Sequence, residues 1–396
     1  MITIVRKSRN SVFVLSSLLC LLLFLFAACS SGSTNSATPT AGHAATPTSG
    51  SSKATATPVI NLGTQPCPDA VKSLAHWDAL IGTQSGVSQV GQVTCGNLIG
   101  QPTLQALIVV DYAGTGHVVD VYVYNNITAA APQQIFKLQN LYMGEAKISG
   151  YNTLLSGEVD QGSSVNRGKS NAAYTVDLFR EFKWSDGVGT LVQVSFPGIY
   201  PDLTRYQAEN DQAQVNQGHN GWKLSAAQVA NNMAVSLLGW SNSSTATIVS
   251  GGGGSDADAV VNVRSANVGA GTITVTMSRL ESNTNGGIWI VTDVASKGFT
   301  ITSPVERDSI RSPVIITGTG TAFEGVIGTV EVLDHLYNNI GHASAKVSSG
   351  SDGFSTSVTY TTSFHGVQEG LVVLLAENNA GGPARAVVME KELVGG

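Results

Sequence analysis

Residues 303–334 read SPVERDSIRSPVIITGTGTAFEGVIGTVEVLD, and the alternation in this stretch decides the fold of the chain's last quarter. Val330 and Val332 flank Glu331, the period-two pattern of a strand with one face in a core. Their expected partners across a sheet are Val372 and Leu374, in the run GLVVLLAENNAG (370–381). All four should be buried and Glu331 exposed. GHASAKVSSGSDGFSTSVTYTT (341–362) and ARAVVMEKEL (384–393) supply further alternating runs. Together these make about seven short strands separated by Gly, Ser, Asn and Pro turns, the spacing of a two-sheet sandwich. Segment 301–396 holds neither Cys nor Trp, which excludes an antibody-type core.

Ser303-Pro304, SPVIITGTG (312–320), Phe323 to Gly325, VEVLD (330–334), GFSTSVTY (353–360) and LLAENNAGG (374–382) follow in an order and spacing that has a known counterpart. Segment 303–393 resembles the immunoglobulin-like domain of bacterial spore germination proteins, the second of the GerMN-associated domains. The GerMN domain itself is not recognisable upstream. The resemblance implies an immunoglobulin-like β-sandwich on an exported, often lipid-anchored protein that works in adhesion or assembly, with a link to sporulation or germination. It brings no catalytic residues with it.

Working towards the N-terminus, Ser225 and Gln228 form a capping-box signature. Ala226, Val229, Ala230, Met233 and Leu237 then share one helical face, and Gly239 stops the helix. TATIVS, ADAVVNVRS, GTITVTMSRL and GGIWIVTDV follow as three or four strands. A helix laid on an antiparallel sheet is a common α+β unit, and 219–300 resembles the helix-plus-curved-sheet end of cystatin-like or nuclear-transport-factor-like modules. Residues 202–217 are polar and helix-compatible. Earlier still, Val71, Leu74, Trp77 and Ile81 predict a short helix ended by Gly82. LQALIVVDY (104–112) and HVVDVYVY (117–124), joined by AGTG, read as a hairpin. Further strands are expected near 134–139, 145–149, 173–183 and 190–196, with PGIYPD (197–202) as a closing turn. The expected fold is therefore mainly β with an α+β middle. Its parts are a β-rich domain (66–218), a helix-on-antiparallel-sheet unit (219–300) and an immunoglobulin-like β-sandwich (301–396).

The N-terminus reads as an address. Arg6, Lys7 and Arg9 precede an apolar run from Val12 to Ala28, the build of a secretory signal over residues 1–28. Phe26-Ala27-Ala28-Cys29 resembles the lipobox of bacterial lipoproteins, which implies acylation of Cys29 as the new N-terminus. The other readings are an uncleaved signal anchor and plain secretion; for lipoprotein and anchor alike, the positive flank stays inside and the rest of the chain outside. Residues 29–65 continue as a tether rich in Ser, Thr, Ala, Gly and Pro, too polar to bury a core. Its root-mean-square reach is roughly 30–35 Å. With Cys20 inside the apolar run and Cys29 at the boundary, Cys67 and Cys95 remain, and outside the cell they are expected to form a disulfide. The alternative is two unlinked thiols.

Charge narrows the partners. The chain carries −6, or −9 once the three leader cations are removed. With no Lys/Arg cluster, this argues against nucleic acid and against a polybasic membrane contact. Only 12% of residues are charged, about half the usual share. No HExxH, GxSxG, P-loop or post-strand GxGxxG occurs, and no cofactor or metal-ligand set is expected. Glu158 with Asp160, and Asp177 with Glu181, are candidate paired carboxylates of a hydrolase acting on cell-wall polymer or polysaccharide. Isolated structural acids are the plainer reading. His335 and His342 are a candidate metal pair, weighed against two solvated strand-end histidines. GGGGSDAD (251–258) lacks calcium-loop spacing and reads as a hairpin loop. Trp184, Phe196, Tyr200, Tyr206 and Trp222 divide between core packing and a stacking surface. The favoured expectation is a non-enzymatic cell-envelope lipoprotein. Its expected partners are an envelope protein or wall polymer, and the membrane through its lipid.

Overall fold

The computed structural model describes residues 62–267, 269, 271–281, 286–347, 352–376 and 384–396. The expected leader, Cys29 and the tether as far as residue 61 lie outside the described residues.

Just after Cys67, a 3-10 turn at Asp69–Val71 leads into helix α1, Leu74–Ile81, which ends where Gly82 adopts φ 80°. Trp77 is fully buried and donates its indole N–H to the Val71 carbonyl at 2.8 Å. The helix lies against strands β1 (Thr64–Gln65), β2 (Ser88–Gly96), β3 (Gln105–Tyr112), β4 (Val119–Asn125) and β5 (Gln133–Leu141), hydrogen-bonded in that order. Ala106, Ile108 and Val110 of β3 join the core that holds Trp77, while Leu107 and Val109 enter a second core. That second core is shared with a four-stranded sheet of β6 (Glu145–Ile148), β7 (Leu154–Glu158), β8 (Leu178–Ser185) and β9 (Thr190–Val194). Burial on both faces explains why β3 reads as a continuous apolar run and not as an alternation.

Three departures from the expected strands have local causes. β2 is absent from the sequence reading because a bulge at Val90/Gln92 breaks its period. There the Asp111 carboxylate packs onto Gly91 so closely that a Cβ would collide with it. β7, LLSGE, is too short and too rich in small residues to signal itself. The strand expected from 173 starts only at Leu178, because Asn166 holds the preceding loop. Its side-chain amide donates to Thr175 O at 2.8 Å and its oxygen accepts the Thr175 amide at 2.9 Å.

Helix α2, Arg205–Asn216, begins with a full capping box from Thr204 and Gln207. At α3, Ala226–Leu238, Ser225 accepts the Gln228 amide and Gly239 ends the helix at φ 64°. Strands β10 (Thr245–Gly251), β11 (Asp258–Arg264), β12 (Thr272–Ser278) and β13 (Ile290–Ala295) form the expected antiparallel run. Ala259, Val261, Val263, Ile273, Val275 and Met277 alternate onto the buried face of α3. PGIYPD is not a free turn: the Ile199 amide donates to Val291 O, and the Val291 amide to Tyr200 O, both at 2.7 Å.

The C-terminal region contains β14 (Thr300–Ser303), β15 (Ser309–Ile310), β16 (Val314–Thr319), β17 (Val326–Leu333), β18 (Asn339–Lys346), β19 (Gly353–Val358), β20 (Val367–Ala376) and β21 (Ala386–Gly395). β14, β16 and β19 form one sheet, facing β21, β20, β17 and β18 in the other, with β15 parallel to β21. Val330 pairs with Leu374 and Val332 with Val372, all four fully buried, as the alternation predicts. Glu331 differs from expectation in being only half-exposed. The sheet does not stop at residue 300: Val294 of β13 pairs with Met389 of β21. Leu371 and Val373 of β20 face the α3 core, whereas Val372 and Leu374 face the sandwich core. Segments 219–300 and 301–396 thus share one sheet. The chain is mostly β, with three α-helices among the described residues.

Candidate functional site

Cys67 and Cys95 form a disulfide with Cα atoms 5.2 Å apart, fastening the segment before α1 to β2. The carboxylates singled out in the sequence have partners within the fold. Glu158 is ion-paired with Arg180. Asp160 accepts the Gly162 amide at 2.7 Å and the Ser363 hydroxyl, and its own amide donates to Asp177 Oδ1 at 2.8 Å. Glu181 Oε1 accepts the Thr153 hydroxyl and Arg205 Nε, each at 2.7 Å. Neither sequence pair faces a common hollow as two free acids.

His335 is buried with its ring edge-on to Phe364, its Nε2 3.7 Å from Asp177 Oδ2, and neither ring nitrogen hydrogen-bonded. His342 is exposed on β18, so the two histidines share no surface. Among the described residues, no three His, Cys, Asp or Glu side chains gather as a metal site. GGGGSDAD forms the β10–β11 hairpin loop, where Asp256 accepts the Gly253 amide at 2.7 Å. Of the aromatics, Phe196 is fully buried, and Tyr200 and Trp222 pack on the α3 core. Tyr206 stacks on Phe179 with centroids 4.4 Å apart, and Trp184 donates to Asp186 at 2.7 Å.

The arrangement best suited to recognition comes from residues the sequence did not single out as a group. Arg205, in the first turn of α2, bridges Glu181 and Glu281, reaching the second at 3.2 Å. The ring of Tyr151 lies 4.2 Å over that guanidinium, and its hydroxyl donates to Leu280 O at 2.6 Å. Beside it, Glu209 accepts the Gly150 amide at 2.8 Å and pairs with Lys147 at 3.1 Å. Leu62, Tyr151, Glu209, Gln212, Asn216 and Glu281 line an open hollow of about 460 Å³. Burial pushes the Glu281 carboxyl up to about 8 against the pull of Arg205, so near neutral pH it keeps its proton and can donate a hydrogen bond. Tyr151 is 40% exposed and offers an aromatic surface. Tyr151 comes from the β6–β7 turn, Arg205 and Glu209 from α2, and Glu281 from the segment after β12. No spacing in the sequence signals their meeting; only the exposed Tyr151 within GYN was there to notice.

Comparison with known proteins found no matching family model, and neither the curated proteins nor the solved structures contained a significant match.

Proposed function

We propose that this protein is a non-enzymatic lipoprotein of the cell envelope, anchored through acylated Cys29 on the extracytoplasmic face. Its tether would present a disulfide-stapled β scaffold to an envelope protein or wall polymer. The C-terminal sandwich would serve adhesion or assembly in the manner of the spore germination domain it resembles. One observation carries the binding reading over the hydrolytic one: Glu158, Asp160, Asp177 and Glu181 are each held by partners inside the fold. Acids so engaged hold elements together and are poorly placed to shuttle protons to a substrate.

The test has two arms. Intact-mass measurement on membrane-extracted protein should show residues 1–28 lost and a lipid mass on Cys29; a retained leader with a bare thiol would overturn the anchor. Co-sedimentation with purified wall polymer should occur without cleavage and weaken in Tyr151→Ala. A specific observation keeps the hydrolase as second reading: Glu281, with its raised pKa, lines a hollow beside Glu209. Polymer cleavage abolished by Glu281→Gln in folded protein would favour that reading.

A further inference from the structure

Across the shared sheet, the pairing of Val294 with Met389 places Asp293 opposite Glu390 on one face. Glu392 lies two residues further along β21, on the same face as Glu390. The β14–β15 loop closes over this end: the Arg307 amide donates to Lys391 O at 2.5 Å, and the Leu393 amide to Asp308 O at 2.8 Å. Five carboxylates therefore meet here: Asp293, Glu306, Asp308, Glu390 and Glu392. Asp293, Glu306 and Asp308 are exposed, and Glu390 is half-buried. Glu392 is 0% exposed, and neither of its carboxylate oxygens has a well-aligned hydrogen-bond partner, the Asp308 backbone alone lying close enough to act on it.

Neither nearby cation forms an ion pair with Glu392. Lys391 points to the opposite face of the strand, where it meets Glu369. Arg307 is exposed and pairs with Glu306 at 3.5 Å. Burial, then repulsion from Asp308 and Glu390, pushes the Glu392 carboxyl up to about 9 against the pull of the Asp308 backbone, and Glu390 is raised to about 7. Near neutral pH Glu392 therefore holds a proton that a bound cation would displace. An ionised carboxylate left dry among like charges is costly, and among the described residues no cation pairs with Glu392.

We propose that this face binds a divalent cation of the calcium type, with Glu392 as the fixed ligand and Asp308 and Glu390 as the carboxylates that turn onto it. No three acidic side chains among the described residues already stand as a finished cage. Asp308 is exposed and its Oδ2 accepts the Val305 amide at 3.2 Å, which leaves its other oxygen to turn onto an ion. Calcium suits such a site because it takes six to eight oxygens in flexible geometry and accepts main-chain carbonyls and water, whereas magnesium demands a near-ideal octahedron. An affinity on the order of 10⁻⁴–10⁻³ M, the range of extracellular calcium modules, is expected. This inference does not depend on the proposed function.

Thermal unfolding of the full chain in detergent, after EDTA treatment, tests it by titration with CaCl2 against NaCl of matched ionic strength. Wild-type protein should show a saturable rise in Tm, with one calcium per chain by isothermal calorimetry. Asp308→Asn should weaken binding by about tenfold, as loss of one ligand charge does. Glu392→Gln should melt close to wild type in EDTA, because the buried carboxyl it replaces is itself neutral near neutral pH, and should lose the calcium response. Unchanged stability in EDTA together with a lost calcium response distinguishes ligand loss from misfolding. No calcium effect beyond the sodium control would overturn the proposal, as would an equal response in both variants. Magnesium binding as tight as calcium would overturn the assignment of the ion.

Discussion

Lys391→Met tests how the β-rich segment is fastened to the last strand. The Lys391 ammonium is 0% exposed and donates to Gly198 O at 2.8 Å and Leu203 O at 2.6 Å, with Glu369 Oε2 at 3.4 Å. Glu369, 3% exposed, also accepts the Phe196 amide at 2.7 Å and the Ser195 hydroxyl at 2.8 Å. Burial lowers the Lys391 pKa to about 8 and raises that of Glu369, each offset in part by the other. Methionine keeps most of the apolar stem and deletes the charge. Breaking a buried pair from one side costs about 3–5 kcal/mol. Two donors still serve Glu369, which limits the loss, while two stranded carbonyls add to it at about 1–3 kcal/mol each. A destabilisation of about 4 kcal/mol is expected. The double variant Lys391→Met, Glu369→Gln should recover about 2 kcal/mol or more relative to additivity, because it removes the orphaned charge. A carboxyl whose pKa is raised in the folded state contributes stability at low pH that is lost as pH rises through the folded value. The single variant should therefore lose less at about pH 5 than at about pH 8. Urea unfolding followed by tryptophan fluorescence measures this. A loss below about 1 kcal/mol, or strict additivity of the two substitutions, would refute the reasoning.

Other outcomes follow from the same structure. Alkylation without reductant should leave Cys67 and Cys95 unlabelled, and reduction should lower stability by about 2–5 kcal/mol. Glu281 is raised from an ordinary value of 4.5 to about 8, so its stabilising share is full below about pH 4.5 and lost as pH approaches about 8. Tm should fall over that window, and Glu281→Gln should flatten the profile. Val332→Ala removes buried methyls from the sandwich core and should cost about 1–3 kcal/mol, whereas Glu331→Ala should cost under about 0.5 kcal/mol by chemical denaturation.

What was legible in the sequence was local. The helix over 226–238 with its Ser225 cap and Gly239 stop, the buried set Val330, Val332, Val372 and Leu374, and the Cys67–Cys95 bridge all follow from side-chain period, capping chemistry and cysteine arithmetic. Each depends on a few adjacent residues or on pairing by elimination. Tertiary structure decided what lies between the segments. A strand buried on both faces, such as β20 with Leu371 and Val373 on one side and Val372 and Leu374 on the other, carries no mark of which partner covers which face. The continuation of one sheet through Val294 and Met389 could therefore not be read from either run. The gathering of Tyr151, Arg205 and Glu281, and of Glu392 with Asp308, depends on backbone paths that bring distant elements together. Whether a carboxylate is paired, solvated or buried alone is a property of that three-dimensional surrounding and not of the residues beside it in the chain.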